Sequence, residues 1–404
     1  MLGKRQLLGG AAALAAGTLA LAACSSSGSG SSTSAGAAQG KSVTIGLSSI
    51  LSGPYAVYGE VGQGIEAYLD TVNASGGVNG YKFNVQVKDN QYQSTQAVAI
   101  TRSFANAGAL AIFELGTPAT QAALSLGNQL RIPLIAAANG DLFTPSPTQY
   151  AYTTDPQFSK MGLFQAQFIM QNLHTKQFAL AYENDDTGTP VGNVVPAYVK
   201  DNGGKLLADL PIDADATDFS VPASKLKASG AKVVEAYMGT AAFVGLQKAA
   251  AAIGYHPTWT TFFTQLDPAY PALVGSLANG VYADSFLNVT GPEVGAFQKA
   301  MTKYYPKLTN SELAELGWSQ GAILVQGIKK ATTGGAALTT GSLTQALSSL
   351  SGVPAGFIPA IGFDTQTHAA ASKDAMFIWS GSTPKQVTPY QDLPSLPAGT
   401  TPLS

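Results

Sequence analysis

One stretch of this 404-residue chain has the spacing of a catalytic nucleophile: Gly317-Trp318-Ser319-Gln320-Gly321 fits G-x-S-x-G. That motif works only when a strained strand-to-helix turn exposes the serine. Here the five residues lie inside a helically periodic run from Leu313 to Ile328, which offers no such turn. Only His174, His256 and His368 could act as its base, and they are far apart and in no metal-ligand spacing. Asp213, Asp215 and Asp218 begin like a calcium loop but lack the glycine and closing glutamate at the required offsets. Gly59-Glu60-Val61-Gly62-Gln63-Gly64 does not have the glycine spacing of a dinucleotide loop. The expectation is no enzyme, no metal and no cofactor. The small residues at 317–321 are expected where two helices pack closely.

The residue with the clearest chemistry is Cys24, the only cysteine. Lys4 and Arg5 are followed by an uncharged run, Leu7–Leu21, in the layout of a secretory leader. The run is shorter than the roughly 20 residues a spanning helix needs. It ends in Leu21-Ala22-Ala23-Cys24, which resembles a bacterial lipobox. Residues 1–23 are therefore expected to be a leader and Cys24 to carry lipid. Ser25–Gly40 is almost entirely Ser, Gly, Ala and Thr, a flexible tether. A chain so anchored would be extracytoplasmic, held to the membrane at its N-terminus, with no disulfide in its fold.

The elements that must position any site begin at Lys41. Twenty-two Lys and Arg against 24 Asp and Glu leave a net charge of −2, and there is no basic run, so nucleic acid is not an expected partner. Apolar residues alternate at period two over Ser42–Ile50 and Lys82–Asp89, and recur at helical spacing over Glu60–Asn73 and from Ser94. Strands follow at Leu110–Leu115 and Pro133–Ala137, with a helix over Thr120–Leu130 between them. The rhythm restarts after Asp155-Pro156, with helices at Phe158–Leu173, Val194–Asn202 and Ala241–Ile253. Its strands are Phe178–Tyr182, Leu206–Ile212, Lys232–Tyr237 and Thr258–Phe263. Repeated strand–helix units predict parallel sheets covered by helices on both faces, and two runs predict two α/β lobes. Helices are also expected near Pro292–Tyr304, Ser311–Thr332 and Ser342–Leu350, a hairpin within Ile358–Trp379, and a Pro-rich tail over Pro384–Ser404.

Four stretches together resemble the leucine/isoleucine/valine-type, or type I, periplasmic binding proteins. They are Ile45–Pro54 with Tyr58-Gly59, Asn73–Gly80 leading to Val87-Lys88-Asp89-Asn90, Gln96-Ala97-Val98, and Asp218-Phe219-Ser220 with Leu226–Ala231. The resemblance covers roughly Lys41 to Ser380. It implies two Rossmann-like lobes joined by three crossovers, near Thr153–Thr154, Val281–Asp284 and Pro359–Gly362. Lobe 1 would then be 41–153 plus 284–359, and lobe 2 would be 154–283 plus 360–383. It also implies a monomer that captures a small molecule and docks on the permease of an ATP-driven (ABC) importer. A ligand-sensing receptor of the same fold is the alternative.

Ligand is expected at the carboxyl ends of the strands. In lobe 1 this implicates Tyr55 and Tyr58, then Gly116 at a helix start suited to a carboxylate, where the resemblance implies that Thr117 and Thr120 bind it, and Ala137 and Asn139. In lobe 2 it implicates Asp186, Thr187, Tyr237, Gly239, Phe263 and Gln265. The chain departs from the amino-acid binders here. Thr187-Gly188 stands where they carry Tyr-Gly, and Phe262-Phe263-Thr264-Gln265 stands where they place an acid for the ligand ammonium. Asp185 or Asp186 could replace it. A buried ammonium without a carboxylate costs several kcal/mol, so the expected ligand is a carboxylate with an apolar body or a neutral amide.

Overall fold

The structure is a computed structural model and describes residues 41–143, 150–363 and 367–403. The expected leader, Cys24 and the tether lie outside the described residues.

The first lobe is built from β1 (Lys41–Ser49), α1 (Gly59–Ala74), β2 (Tyr81–Asp89), α2 (Ser94–Asn106), β3 (Ala111–Leu115), α3 (Thr117–Leu130), β4 (Leu134–Ala137) and β5 (Ala151–Thr153). Its sheet is wholly parallel, in the order β2-β1-β3-β4-β5. Ile45 and Leu47 of β1 and all of β3 are buried, as strands covered on both faces should be. Gly116 joins β3 to α3 at φ +99°, and a Cβ there would stand 2.8 Å from the ring of Tyr92. Only glycine meets both conditions.

The second lobe follows as α4 (Phe158–Gln171), β6 (Gln177–Glu183), α5 (Thr189–Asp201), β7 (Lys205–Ile212), α6 (Ser220–Ser229), β8 (Val233–Tyr237), α7 (Thr240–Ala252), β9 (Thr258–Thr261), α8 (Ala269–Val274) and β10 (Tyr282–Ser285). The chain then returns to the first lobe as α9 (Glu293–Tyr304), α10 (Glu312–Ala331), α11 (Thr340–Leu347) and the hairpin β11 (Ser351–Ala355) and β12 (Ile358–Gly362). It ends on the second lobe as β13 (Lys373–Ser380), β14 (Thr383–Gln386) and β15 (Gln391–Asp392). The second sheet runs β14-β13-β10-β9-β8-β6-β7, with β15 also on β13.

The helix α10 explains the G-x-S-x-G spacing. A Cβ on Gly317 would lie 1.8 Å from the Val61 carbonyl oxygen of α1, and one on Gly64 would lie 2.0 Å from that of Ala314. Ser319 is fully buried. Its hydroxyl donates to the Glu315 carbonyl at 2.9 Å and accepts from Phe357 N–H at 2.9 Å. This is a packing motif, as expected.

Three boundaries differ from the sequence reading. The second crossover follows Ser285 rather than Asp284, because Asp284 and Ser285 pair with Met376 and Ala375 in the second sheet. The third falls at Ala369–Ser372 rather than Pro359–Gly362. There Ala370 N–H bonds to Thr153 O at 2.9 Å and Ala371 N–H to Thr154 O at 3.3 Å, so the first and third crossovers run side by side. Residues 358–362 are instead tied back on β11 by the turn at Gly356, φ +59°. The expected hairpin within Ile358–Trp379 is therefore two strands in two sheets. The Pro-rich tail does not simply trail, since residues 383–386 and 391–392 add strands to β13.

Candidate functional site

The carboxyl ends of both sheets face one another across a small cavity at the mouth of a cleft that is partly open to solvent. From lobe 1 come the residues after β1, β2, β3 and β4: Ile50 and Tyr58, Tyr92, Gly116 and Thr117, and Ala137 and Ala138. From lobe 2 come the residues after β6, β8 and β9: Thr187, Gly239, and Phe262 to Thr264. Asp155 and Phe158 enter from the first crossover, and Leu313 and Leu316 from the start of α10.

The lobes are shut. Tyr55 Oη donates to Glu183 Oε1 at 2.9 Å, Thr240 N–H donates to Tyr58 Oη at 3.1 Å, and Asn139 Nδ2 donates to Asp186 O at 2.8 Å. The hydroxyls of Tyr92 and Thr187 lie 3.4 Å apart. Tyr55 and Tyr92 pack ring on ring at 4.4 Å. Beside the cavity Ser311 Oγ, which caps α10, stands 2.6 Å from Glu60 Oε2 and 2.8 Å from Asp267 Oδ2 of the other lobe. One hydroxyl proton cannot serve two carboxylates, so a further proton must sit on Glu60 or Asp267.

Of the residues expected from sequence, Tyr58, Gly116, Thr117, Ala137, Thr187, Gly239 and Phe263 line the cavity. Tyr55 stacks on this group from outside. Three lie in the interior instead. Tyr237 is fully buried, its hydroxyl 3.6 Å from Met161 Sδ. The Gln265 amide is occupied by the hydroxyls of Thr261 and Thr240 at 3.0 and 3.2 Å. Thr120 is one turn inside α3 and fully buried. Asn139 and Asp186 act at the lobe contact: Asn139 Oδ1 also accepts from the Asp141 and Phe158 N–H groups. The sequence reading missed Tyr92, Asp155, Phe158, Leu313 and Leu316. The carboxyl-end rule applied to β2 would have found Tyr92. Leu313 and Leu316 carried no signal beyond helical periodicity.

Buried acids without cations set the electrostatics. Burial, then repulsion from Asp185, pushes Glu183 up to about 7. Burial, then Asp267, pushes Glu60 up to about 7 and Glu315 up to about 8. Burial also raises Glu114 to about 8 against the hydrogen bonds from Ser48, Asn90 and Thr101. Each folded value is above the ordinary 4.5, so folding retains protons that the unfolded chain gives up. This stabilisation is complete below about pH 4.5 and is lost as the pH rises through about 7 to 8. The melting temperature is therefore expected to fall steadily from about pH 5 to about pH 8.5. A flat or rising profile in scanning fluorimetry would contradict these assignments.

Two α/β sheets, the first parallel and the second parallel except for antiparallel β13, β14 and β15, closed over a cavity at the carboxyl ends of their parallel strands, define a ligand clamp. Residues 42–382 match the family described as Periplasmic binding protein. The chain belongs to that family. Among curated relatives, the Leu/Ile/Val-binding protein homolog 1 of Brucella melitensis is 24% identical over 266 residues, spanning 64% of this chain and 66% of that protein. The Leu/Ile/Val-binding protein of Escherichia coli is 24% identical over 274 residues, spanning 67% and 70%. In other relatives the match spans only about half the length, as in homolog 3 of B. melitensis, at 53%. Two solved structures share the fold at TM-score 0.80 and 20% identity. One is a fatty acid ABC transporter substrate-binding protein from Thermomonospora curvata, matched over 89% of this chain and 96% of that one. The other is a branched-chain amino acid ABC transporter protein from Thermus thermophilus with bound valine, matched over 87% and 97%.

Proposed function

We propose that this chain is an extracytoplasmic solute-binding lipoprotein. It captures one small organic molecule between its lobes and presents the closed form to an ABC importer permease. It does no covalent chemistry. The observation that carries this reading is the cavity between the shut lobes. Its wall is mainly Ile, Val, Leu, Ala and Phe, with hydroxyls of Tyr58, Tyr92, Thr117, Thr187 and Thr264, and, among the described residues, without Lys, Arg or His. Few polar groups in an apolar wall are what orient a small apolar-bodied ligand. The names of the relatives, amino-acid binders and a fatty-acid binder, support a carboxylate-bearing solute of that kind. Lipid on Cys24 would hold the clamp at the membrane, and the chain would work as a monomer.

The test is thermal melting of the mature protein against branched amino acids, aliphatic and aromatic carboxylates, amides and polyols. A ligand at 100 times its dissociation constant adds about 2.7 kcal/mol, which is readily seen. Stabilisation by an apolar-bodied carboxylate or amide is the expected result. No stabilisation across the whole panel would count against capture.

A further inference from the structure

The cavity contains a carboxyl group that none of the other features of the clamp accounts for. Asp155 lines the wall at the first crossover and is 2% exposed. It shares the lining with Ala138, Phe158 and Phe262, and among the described residues the lining has no basic side chain. Its Oδ1 takes a hydrogen bond from Thr154 Oγ1 at 2.8 Å, and its Oδ2 has no protein partner. With Asp155 in the cavity lining and Oδ1 held by Thr154, Oδ2 is the carboxyl oxygen left for a ligand. An isolated carboxylate in an apolar wall is costly and takes up a proton instead. With Oδ1 accepting from Thr154, that proton belongs on Oδ2.

Resting on the clamp reading above, we propose that Asp155 is the residue that selects the ligand head, as a neutral carboxylic acid whose Oδ2–H donates to a ligand carbonyl or carboxylate oxygen. The ligand class is an apolar body with an acceptor head. A cationic amine is disfavoured, because it would demand ionisation of the acid. Burial holds the Asp155 carboxyl at about 8, so it is neutral at ordinary pH. The titratable groups around it are Tyr237 of β8, on which the charges of Asp284, Asp374, Asp141 and Asp155 all bear, and Tyr58 and Tyr92 of the same lining. All are acids, and burial raises each of them. Glu183, at about 7 where it accepts from the Gly239 N–H, titrates in the same window. A pH profile must therefore be read against a variant that alters Asp155 alone.

Two measurements on the mature protein test this. Infrared difference spectra of wild type minus D155N report the protonated carboxyl directly and need no ligand. A protonated band at about pH 6.5 that disappears above about pH 8 is expected, and an ionised Asp155 at pH 6.5 would overturn the proposal. Calorimetric titration with pentanoate, pentanamide and pentylamine then reads selectivity. The acid and amide should bind, with affinity falling up to about tenfold per pH unit above about pH 8. In D155N, whose amide N–H still donates, they should bind within a few-fold of wild type without that pH step. Tightest binding by pentylamine, abolished in D155N, would overturn the donor role while leaving the clamp intact. If none of the three binds, the donor role for this ligand class falls, and the melting panel decides separately whether the clamp reading stands.

Discussion

Gly317→Ala is expected to cost about 3 kcal/mol of stability, the upper part of the range for overpacking. The reason is the α1–α10 crossing. The new methyl would be placed 1.8 Å from the Val61 carbonyl oxygen and 2.7 Å from its carbonyl carbon. The obstacle is backbone, not the end of a flexible side chain, so one helix must move. Neither can move freely. Val61 and Ile65 of α1 and Leu313, Leu316 and Trp318 of α10 belong to one continuous core, and close-packed cores transmit strain. Gly64 faces the reciprocal carbonyl, so Gly64→Ala should behave alike, and the two changes should not add because they share one interface. Urea unfolding of wild type and variant with the slope unchanged is the measurement. A loss below about 0.5 kcal/mol, the scale of neutral surface changes, would mean that the helices do not cross this closely.

Gly239→Val should leave the unliganded fold nearly intact and weaken ligand binding about 100-fold, or ~2.8 kcal/mol at 1.4 per tenfold. A Cβ at 239 would stand 3.0 Å from Tyr55 Cε1, 3.0 Å from Tyr58 Oη and 3.6 Å from Glu183 Oε1. Two of these three neighbours belong to the opposite lobe, so most of the clash exists only when the clamp is shut. Valine adds two methyls where one already has little room. It would also push Tyr58 off the Thr240 N–H and Tyr55 off Glu183, removing two of the bonds that close the mouth. Small-angle scattering with the ligand found by melting should show wild type compacting and the variant staying open. Unchanged affinity would mean that the ligand-bound form is not the closure described here.

Much of the fold was legible because its signals are local. Period two in Val43, Ile45 and Leu47, and helical period in Val61, Ile65, Tyr68, Leu69 and Val72, come from one turn or one pleat at a time. They placed β1, α1 and their successors close to where they lie. The wall residues Tyr58, Gly116, Thr117, Thr187 and Gly239 were legible for a topological reason. They follow strands, and open parallel sheets bind at that end. Tyr237 and Gln265 misled because an aromatic or an amide near a strand end has the same local pattern whether it turns to the cavity or to the core. Residues 358–379 misled because Ile358–Gly362 and Lys373–Ser380 each read as strands, while their partners β11 and β10 are chosen by distant packing.

The sequence by itself determined that this is a two-run α/β chain with binding loops at its strand ends, and that its one serine elbow is a helix-packing motif. Those conclusions rest on periodicity and glycine spacing, which act over a few residues. Only the tertiary structure decided that Leu313 and Leu316 of α10 line the cavity, that the carboxyls of Glu60 and Asp267 meet across the lobes at the Ser311 hydroxyl, and that Glu183 meets Tyr55 of the other lobe. It also decided that Asp155, a mere break in the rhythm when read in sequence, is a buried acid facing the ligand space. Those facts depend on which distant surfaces exclude water together, and burial is a property of the assembled lobes rather than of any one segment.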